Sequence, residues 1–203
     1  MFKKKITICV PSHNRSQLLG RCLRSLIDQS FDFKNYEIIV VDDGSNDSTE
    51  LVLKAFVNDI VLIKNNKKIG LSKSLNKAIK ASKGKYFLRV DSDDYVNRDY
   101  IKFLYETITR NPEYNAVCCD YYLVDNKENI LKKCNSEKSP IGCGIIFKKK
   151  DLVKAGMYSS KIKIYEEVDL MKRLKTNIKF SMLRLPIPLY RYRMHSTNMT
   201  KNK

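Results

Sequence analysis

The chain has 203 residues and a formal charge of +17, with 43% hydrophobic and 30% charged residues. That length suits a single globular domain with a sizeable core, and no apolar run approaches the length of a transmembrane helix. The six cysteines (Cys9, Cys22, Cys118, Cys119, Cys134, Cys143) show no CxxC spacing, which argues against a zinc site or disulfide framework and for a reducing, cytoplasmic setting.

The basic start, Met1 to Lys5, precedes an apolar stretch too short for a signal peptide. Lys5 to Val10 reads as a first strand, broken by Pro11 and a polar turn from Ser12 to Arg15. Leu18, Leu19, Cys22, Leu23, Leu26 and Ile27 then form the apolar stripe of an amphipathic helix. A second strand ends at Asp42. Asp47-Ser-Thr-Glu50 has the pattern of a helix cap with a returning glutamate, and Leu51, Val52, Ala55 and Phe56 are expected to face the core. Ile60 to Ile63 reads as a third strand. Leu71, Leu75, Ala78 and Ile79 make a helix stopped near Gly84, and a fourth strand runs into Asp91.

Strands alternating with helices predict parallel βαβ units in this half. The second half is more mixed. A helix carries Tyr100, Phe103, Leu104 and Ile108. Strands follow over 116–124 and 142–147, then short helices over 151–155 and 166–175, and a strand-like end broken by Pro186 and Pro188.

Two buried strands end in acidic clusters, Asp42-Asp43-Gly44-Ser45 and Asp91-Ser92-Asp93-Asp94. The carboxyl edge of an open α/β sheet is where ligands bind. Carboxylates gathered there repel one another unless a cation or hydrogen-bond donors offset them. Asp91 and Asp93, one residue apart, can face one site, and their hard oxygens suit Mg²⁺ or Mn²⁺. Read alone, the triplet is equally a turn that caps the following helix. Asp42 and Asp43 could accept hydrogen bonds from a base or ribose, or simply close a turn. Glu166, Glu167 and Asp169 open a helix, where the dipole favours acidic residues, or one of them is a general base. His195, with Arg191 and Arg193 upstream, could help a metal or diphosphate. His13 reads as a turn residue lining a pocket.

Taken together, Val10-Pro-Ser-His-Asn-Arg15, Glu37 to Ser45, Gly84-Lys-Tyr86 leading to Asp94, Glu166 to Leu170 and Tyr190 to His195 resemble the family 2 glycosyltransferases of the GT-A fold. They occur in family order over nearly the whole chain. The resemblance implies an α/β domain with a mainly parallel central sheet flanked by helices. Residues 1–96 would bind a nucleotide-sugar donor, a UDP-sugar first among the candidates, and 97–203 an acceptor. It implies donor contacts from Pro11, Ser12, Asn14, Asp42, Asp43, Asn76, Asp91 and Ser92, and from the glycine loop at Gly142 to Gly144. Asp93, Asp91 and His195 would hold Mn²⁺ or Mg²⁺. Glu167 stands where the family places an aspartate base, so Glu166 and Asp169 are kept as alternatives. Ser74-Leu75-Asn76 lacks the arginine many relatives carry, which would remove a donor contact. The processive-synthase motif of Gln, two residues, Arg, Trp is absent, which favours single-sugar transfer, and the mechanism the resemblance implies, attack from the opposite face, inverts the anomeric carbon.

The implied partners are the nucleotide sugar and a saccharide or lipid-linked acceptor, with peripheral contact at the inner face of a bacterial membrane and surface-polysaccharide or glycolipid synthesis as the setting. The competing readings are a sugar nucleotidyltransferase, a catalytically dead relative, and a basic module binding lipid or nucleic acid. No nucleic-acid signature supports the last.

Overall fold

The computed structural model describes residues 4–162 and 164–195; the basic start at 1–3 and the end at 196–203 lie outside them. Uninterrupted apolar runs make strands covered on both faces, and β1 (Ile6–Ser12) and β2 (Tyr36–Asp42) are buried along their whole lengths. Between them runs α1 (Leu19–Ile27), with Leu19, Cys22, Leu23 and Leu26 buried. After β2 come α2 (Thr49–Lys54), β3 (Val61–Lys64), α3 (Leu71–Ala81) and β4 (Tyr86–Arg89). These four strands pair in the order β3-β2-β1-β4, all parallel.

The other half holds β5 (Tyr95–Val96), α4 (Tyr100–Arg110), β6 (Ala116–Val124), β7 (Ile130–Cys134), β8 (Ile145–Lys148), α5 (Lys149–Lys154), α6 (Glu166–Asn177) and β9 (Met182–Arg193). It extends the sheet as β4-β8-β6-β9-β5, with β7 on β6. Here only β6 and β9 run parallel; β8 is antiparallel to both β4 and β6. The sheet is therefore parallel through its first half and mixed beyond it. Alternating side chains divide the core in two. Ile8 and Val10 pack with α1 and α4 on one face, and Cys9, Ile39 and Val41 with α3, α5 and α6 on the other.

Four local readings change. In α2 the core residue is Leu53, while Leu51 is 67% exposed, because the helix is only six residues long and turns Leu51 outward. Glu50 does not return to its cap; it pairs with Lys54 and Lys64, and Asp47 accepts from the Thr49 N–H instead. Gly84 is required by close approach rather than as a left-handed cap: a Cβ there would lie 2.5 Å from the Thr7 nitrogen. Pro186 and Pro188 do not break β9, because they fall where its register against β6 shifts, between the Cys119–Leu185 and Tyr121–Tyr190 pairs, and a bulge needs no ladder N–H there.

Candidate active site

The carboxyl ends of β1, β2 and β4 open into a cleft of about 420 Å³, closed from the other side by residues 140–143 and the start of α6. Pro11, Ser12, Asp43, Asp91, Ser92, Asp93, Glu166 and Glu167 line it, together with His13, Arg15, Lys68 and Arg89.

Arg89 organises the floor. It is the last residue of β4 and only 7% exposed. Its Nε and Nη2 donate to the two oxygens of Asp91 at 2.7 and 3.0 Å, and its Nη1 donates to Glu166 Oε1 at 2.8 Å. Burial alone disfavours a guanidinium charge, but Asp91 outweighs it and holds the group protonated. Gly142 is the residue that fits above: a Cβ there would touch Arg89 at 3.0 Å and Glu167 at 3.4 Å.

Asp93 faces a different partner. Its Oδ2 lies 2.9 Å from His195 Nε2 and 3.5 Å from Arg15 Nε. His195 is carried two residues past the end of β9. Arg193 ties that end to the acidic loop, donating from its backbone N–H to Asp94 Oδ1 and from Nε to the Asp93 carbonyl. The Tyr190 hydroxyl also donates to Asp94, at 2.6 Å. Burial, followed by the charges of Asp93 and Asp91, pushes the Asp94 carboxyl up.

Asp43 is saturated by backbone. Its oxygens accept from Ile69 N–H, Gly70 N–H and Asn65 Nδ2 at 2.8–2.9 Å. Burial raises its pKa, but these bonds more than offset that and hold it below the ordinary value. Asp43 thus fixes the loop between β3 and α3 while one edge of it lines the cleft. Beside it the buried Ser12 hydroxyl has no hydrogen-bond partner among the described residues, an orphan that a polar ligand would satisfy.

Glu167 differs from every other cleft carboxylate: among the described residues, no side chain bonds it. Burial, then the neighbouring Glu166 and Asp91 charges, raise its pKa above the usual 4.5. Glu166 is committed to Arg89, and Asp169 to Arg173 at 2.7 Å. Asp169 does not line the cleft, nor do Asn14, Asp42, Asn76 and His195, the last reaching it only through Asp93. Asp42 accepts from the Ser45 N–H, and Asn14 accepts from the Asn46 N–H through Oδ1 and donates its backbone N–H to Ser45 Oγ. Asn76 clasps both backbone groups of Tyr158. These three shape the walls of the cleft from outside it.

The donor set suits one hard cation. Asp93 Oδ2 and His195 Nε2, 2.9 Å apart, have the separation of adjacent ligands in an octahedral shell of radius ~2.1 Å. Asp91, Asp94 and Cys143 also lie close together, but Arg89 holds both Asp91 oxygens and Tyr190 and Arg193 hold Asp94. That group is neutralised already. Sequence reading passed over Arg89, Asp94 and Gly142's fit against Arg89; an arginine inside the buried run Tyr86 to Val90 was the signal available.

A mixed sheet with a parallel half, and acidic strand ends facing a carboxylate at a helix start, form the GT-A architecture. The model of the family "Glycosyl transferase family 2" matches residues 7–173, and the chain belongs to that family. It is 36% identical over 131 residues to the glycosyltransferase GlyA of Streptococcus pneumoniae, covering 63% of this chain and 18% of that one. It is 40% identical over 99 residues to a poly(ribitol-phosphate) beta-glucosyltransferase of Bacillus spizizenii, covering 47% and 16%. The chain thus spans less than a fifth of either relative. The structure of Staphylococcus aureus TarS 1–349 in complex with UDP-GlcNAc superposes with a TM-score of 0.82 over 98% of this chain and 61% of that one, at 21% identity.

Proposed function

We propose that this protein transfers one sugar from a nucleoside diphosphate sugar, a UDP-sugar in the first instance, to an acceptor hydroxyl with inversion at the anomeric carbon. One observation carries the reading: Glu167, a carboxylate raised in pKa and left without a side-chain partner, lines the same cleft as Asp93, which the buried His195 contacts at 2.9 Å. The UDP-GlcNAc bound in the TarS structure and the poly(ribitol-phosphate) on which the Bacillus relative acts support a UDP-sugar donor and a polymer acceptor.

In this reading Ser12 and the Asp43 loop receive the base and ribose, and Asp91, fixed by Arg89, borders the ribose and diphosphate. Asp93 and His195 would hold Mn²⁺ or Mg²⁺, which when bound supplies positive charge to the departing diphosphate. Arg15 and Lys68 add fixed positive charge to the same side. Glu167 takes the proton from the acceptor hydroxyl as its oxygen attacks the anomeric carbon from the face opposite the diphosphate. The longer side chain of glutamate places that carboxylate ~1.5 Å farther from the backbone than an aspartate would. A general base is most effective with a pKa near the working pH, and the burial of Glu167 moves it that way.

The sign of the pH dependence follows. The base works deprotonated, so kcat/KM rises with pH through a pKa lying above 4.5. Glu167→Gln should lower kcat by at least ~100-fold while UDP affinity stays within about twofold. Unchanged turnover in Glu167→Gln, or an acid limb at or below 4.5, reassigns the base.

A further inference from the structure

The start of α6 presents apolar side chains to solvent right beside the cleft. Ile164 is 52% exposed, Tyr165 41% and Val168 60%, and Ile164 and Tyr165 line the cleft mouth. Tyr165 holds a φ of 65°, a left-handed conformation that tyrosine rarely adopts. Such strain persists where the surroundings impose it, commonly at functional sites. Ile164 and Val168 belong to neither apolar core.

The charge around them has one sign. Helical spacing places Lys172 and Lys175 on the face of Val168, and both are exposed, as are Lys161 and Lys179. The carboxylates of the segment are all turned away or neutralised. Glu166 is buried on Arg89, Glu167 lines the cleft, and Asp169 is paired with Arg173. Among the described residues from 156 to 180, every charge free to face outward is therefore a lysine. A tyrosine and two aliphatic side chains ringed by lysines match a bilayer interface, where the ring sits at headgroup level and the ammonium groups meet anionic lipid. A nucleic acid would match the lysines but not Ile164 and Val168.

We propose that this face rests on an anionic lipid bilayer, and that the acceptor enters the cleft from that surface as a lipid-linked saccharide. The bilayer contact stands independently; the nature of the acceptor rests on the transferase reading above.

Co-sedimentation with phosphatidylcholine vesicles, with and without roughly a quarter phosphatidylglycerol, tests the contact. The protein should pellet with the anionic vesicles alone, be released by high salt, and stay bound in inorganic phosphate. Each lysine near the surface contributes ~1 kcal/mol, so Lys172→Gln with Lys175→Gln should weaken binding about thirtyfold. Val168→Ser, on an exposed position outside the cleft, should weaken it severalfold, and UDP titration by calorimetry should be unaltered in both variants. Equal binding to both vesicle types, variants that bind like the parent, release by inorganic phosphate, or stronger binding to a single-stranded oligonucleotide than to vesicles would each overturn the contact. Vesicle binding without UDP binding would instead remove the transferase reading and leave the contact standing.

Discussion

Arg89 holds together the two acidic segments that make the cleft. It binds Asp91, two residues past the end of its own strand, and Glu166 of α6, 77 residues away. Removing one partner of a buried charge cluster leaves the others uncompensated, a loss of about 3–5 kcal/mol. Arg89→Met should therefore lower the free energy of unfolding by that order in a urea titration. A loss under ~1 kcal/mol would mean that Asp91 and Glu166 find other partners. The arginine was visible in the sequence as a charge inside an apolar strand; its partner on α6 was not, because sequence spacing says nothing about contacts made across the fold. The same limit applied to the three acidic residues of α6. Their pattern fitted a helix dipole and a catalytic base equally well, and only the pairing of Glu166 and Asp169 singles out Glu167.

At the scale of elements, the turn between β6 and β7 is tied to the acidic loop of the cleft through Arg193. Glu128, held at a φ of 66°, binds Arg21 of α1 and Arg193 of β9, each through contacts of 3.0–3.2 Å. Arg21 and Arg193 also lie over the ring of Tyr95, at 4.0 and 5.4 Å. Arg193 in turn fixes the Asp93 carbonyl and leads to His195. Glu128 is thus a positioning residue for the Asp93–His195 pair. Glu128→Ala should weaken Mn²⁺ binding, read by electron paramagnetic resonance, by about tenfold, ~1.4 kcal/mol, with Glu128→Gln recovering part of it. Unaltered Mn²⁺ affinity in Glu128→Ala would confine the turn to a structural part. None of this was legible beforehand. β7 exposes four of its five residues, so it lacks the alternation that marks a half-buried strand, and the prolines of β9 mimic a loop. By contrast β1, β2 and β4 were plain, because buried parallel strands spell continuous apolar runs.

Over the whole molecule, the first half of the chain supplies the strand ends of the cleft and the second supplies α6 and the end of β9. The sheet changes from parallel to mixed pairing after β4, and β5 already belongs to the mixed part, so one sheet runs through the division expected near residue 96. The +17 charge reads from composition as dispersed surface lysine, and sequence alone could not tell that at the start of α6 Glu166 is paired with Arg89, Asp169 with Arg173, and Glu167 lines the cleft. Arg15 and Lys68 bring part of that charge into the cleft, where a diphosphate would meet it before solvent screens it.

Calorimetric titration of UDP into the protein, with and without Mn²⁺, puts the chemistry of the cleft to the most direct test. We expect binding that depends on the cation and that falls at least ~10-fold in Asp93→Asn, since the amide removes one anionic ligand beside His195. Heat of binding that is the same without Mn²⁺, or the same in Asp93→Asn, would contradict a cation-held diphosphate at the ends of these strands.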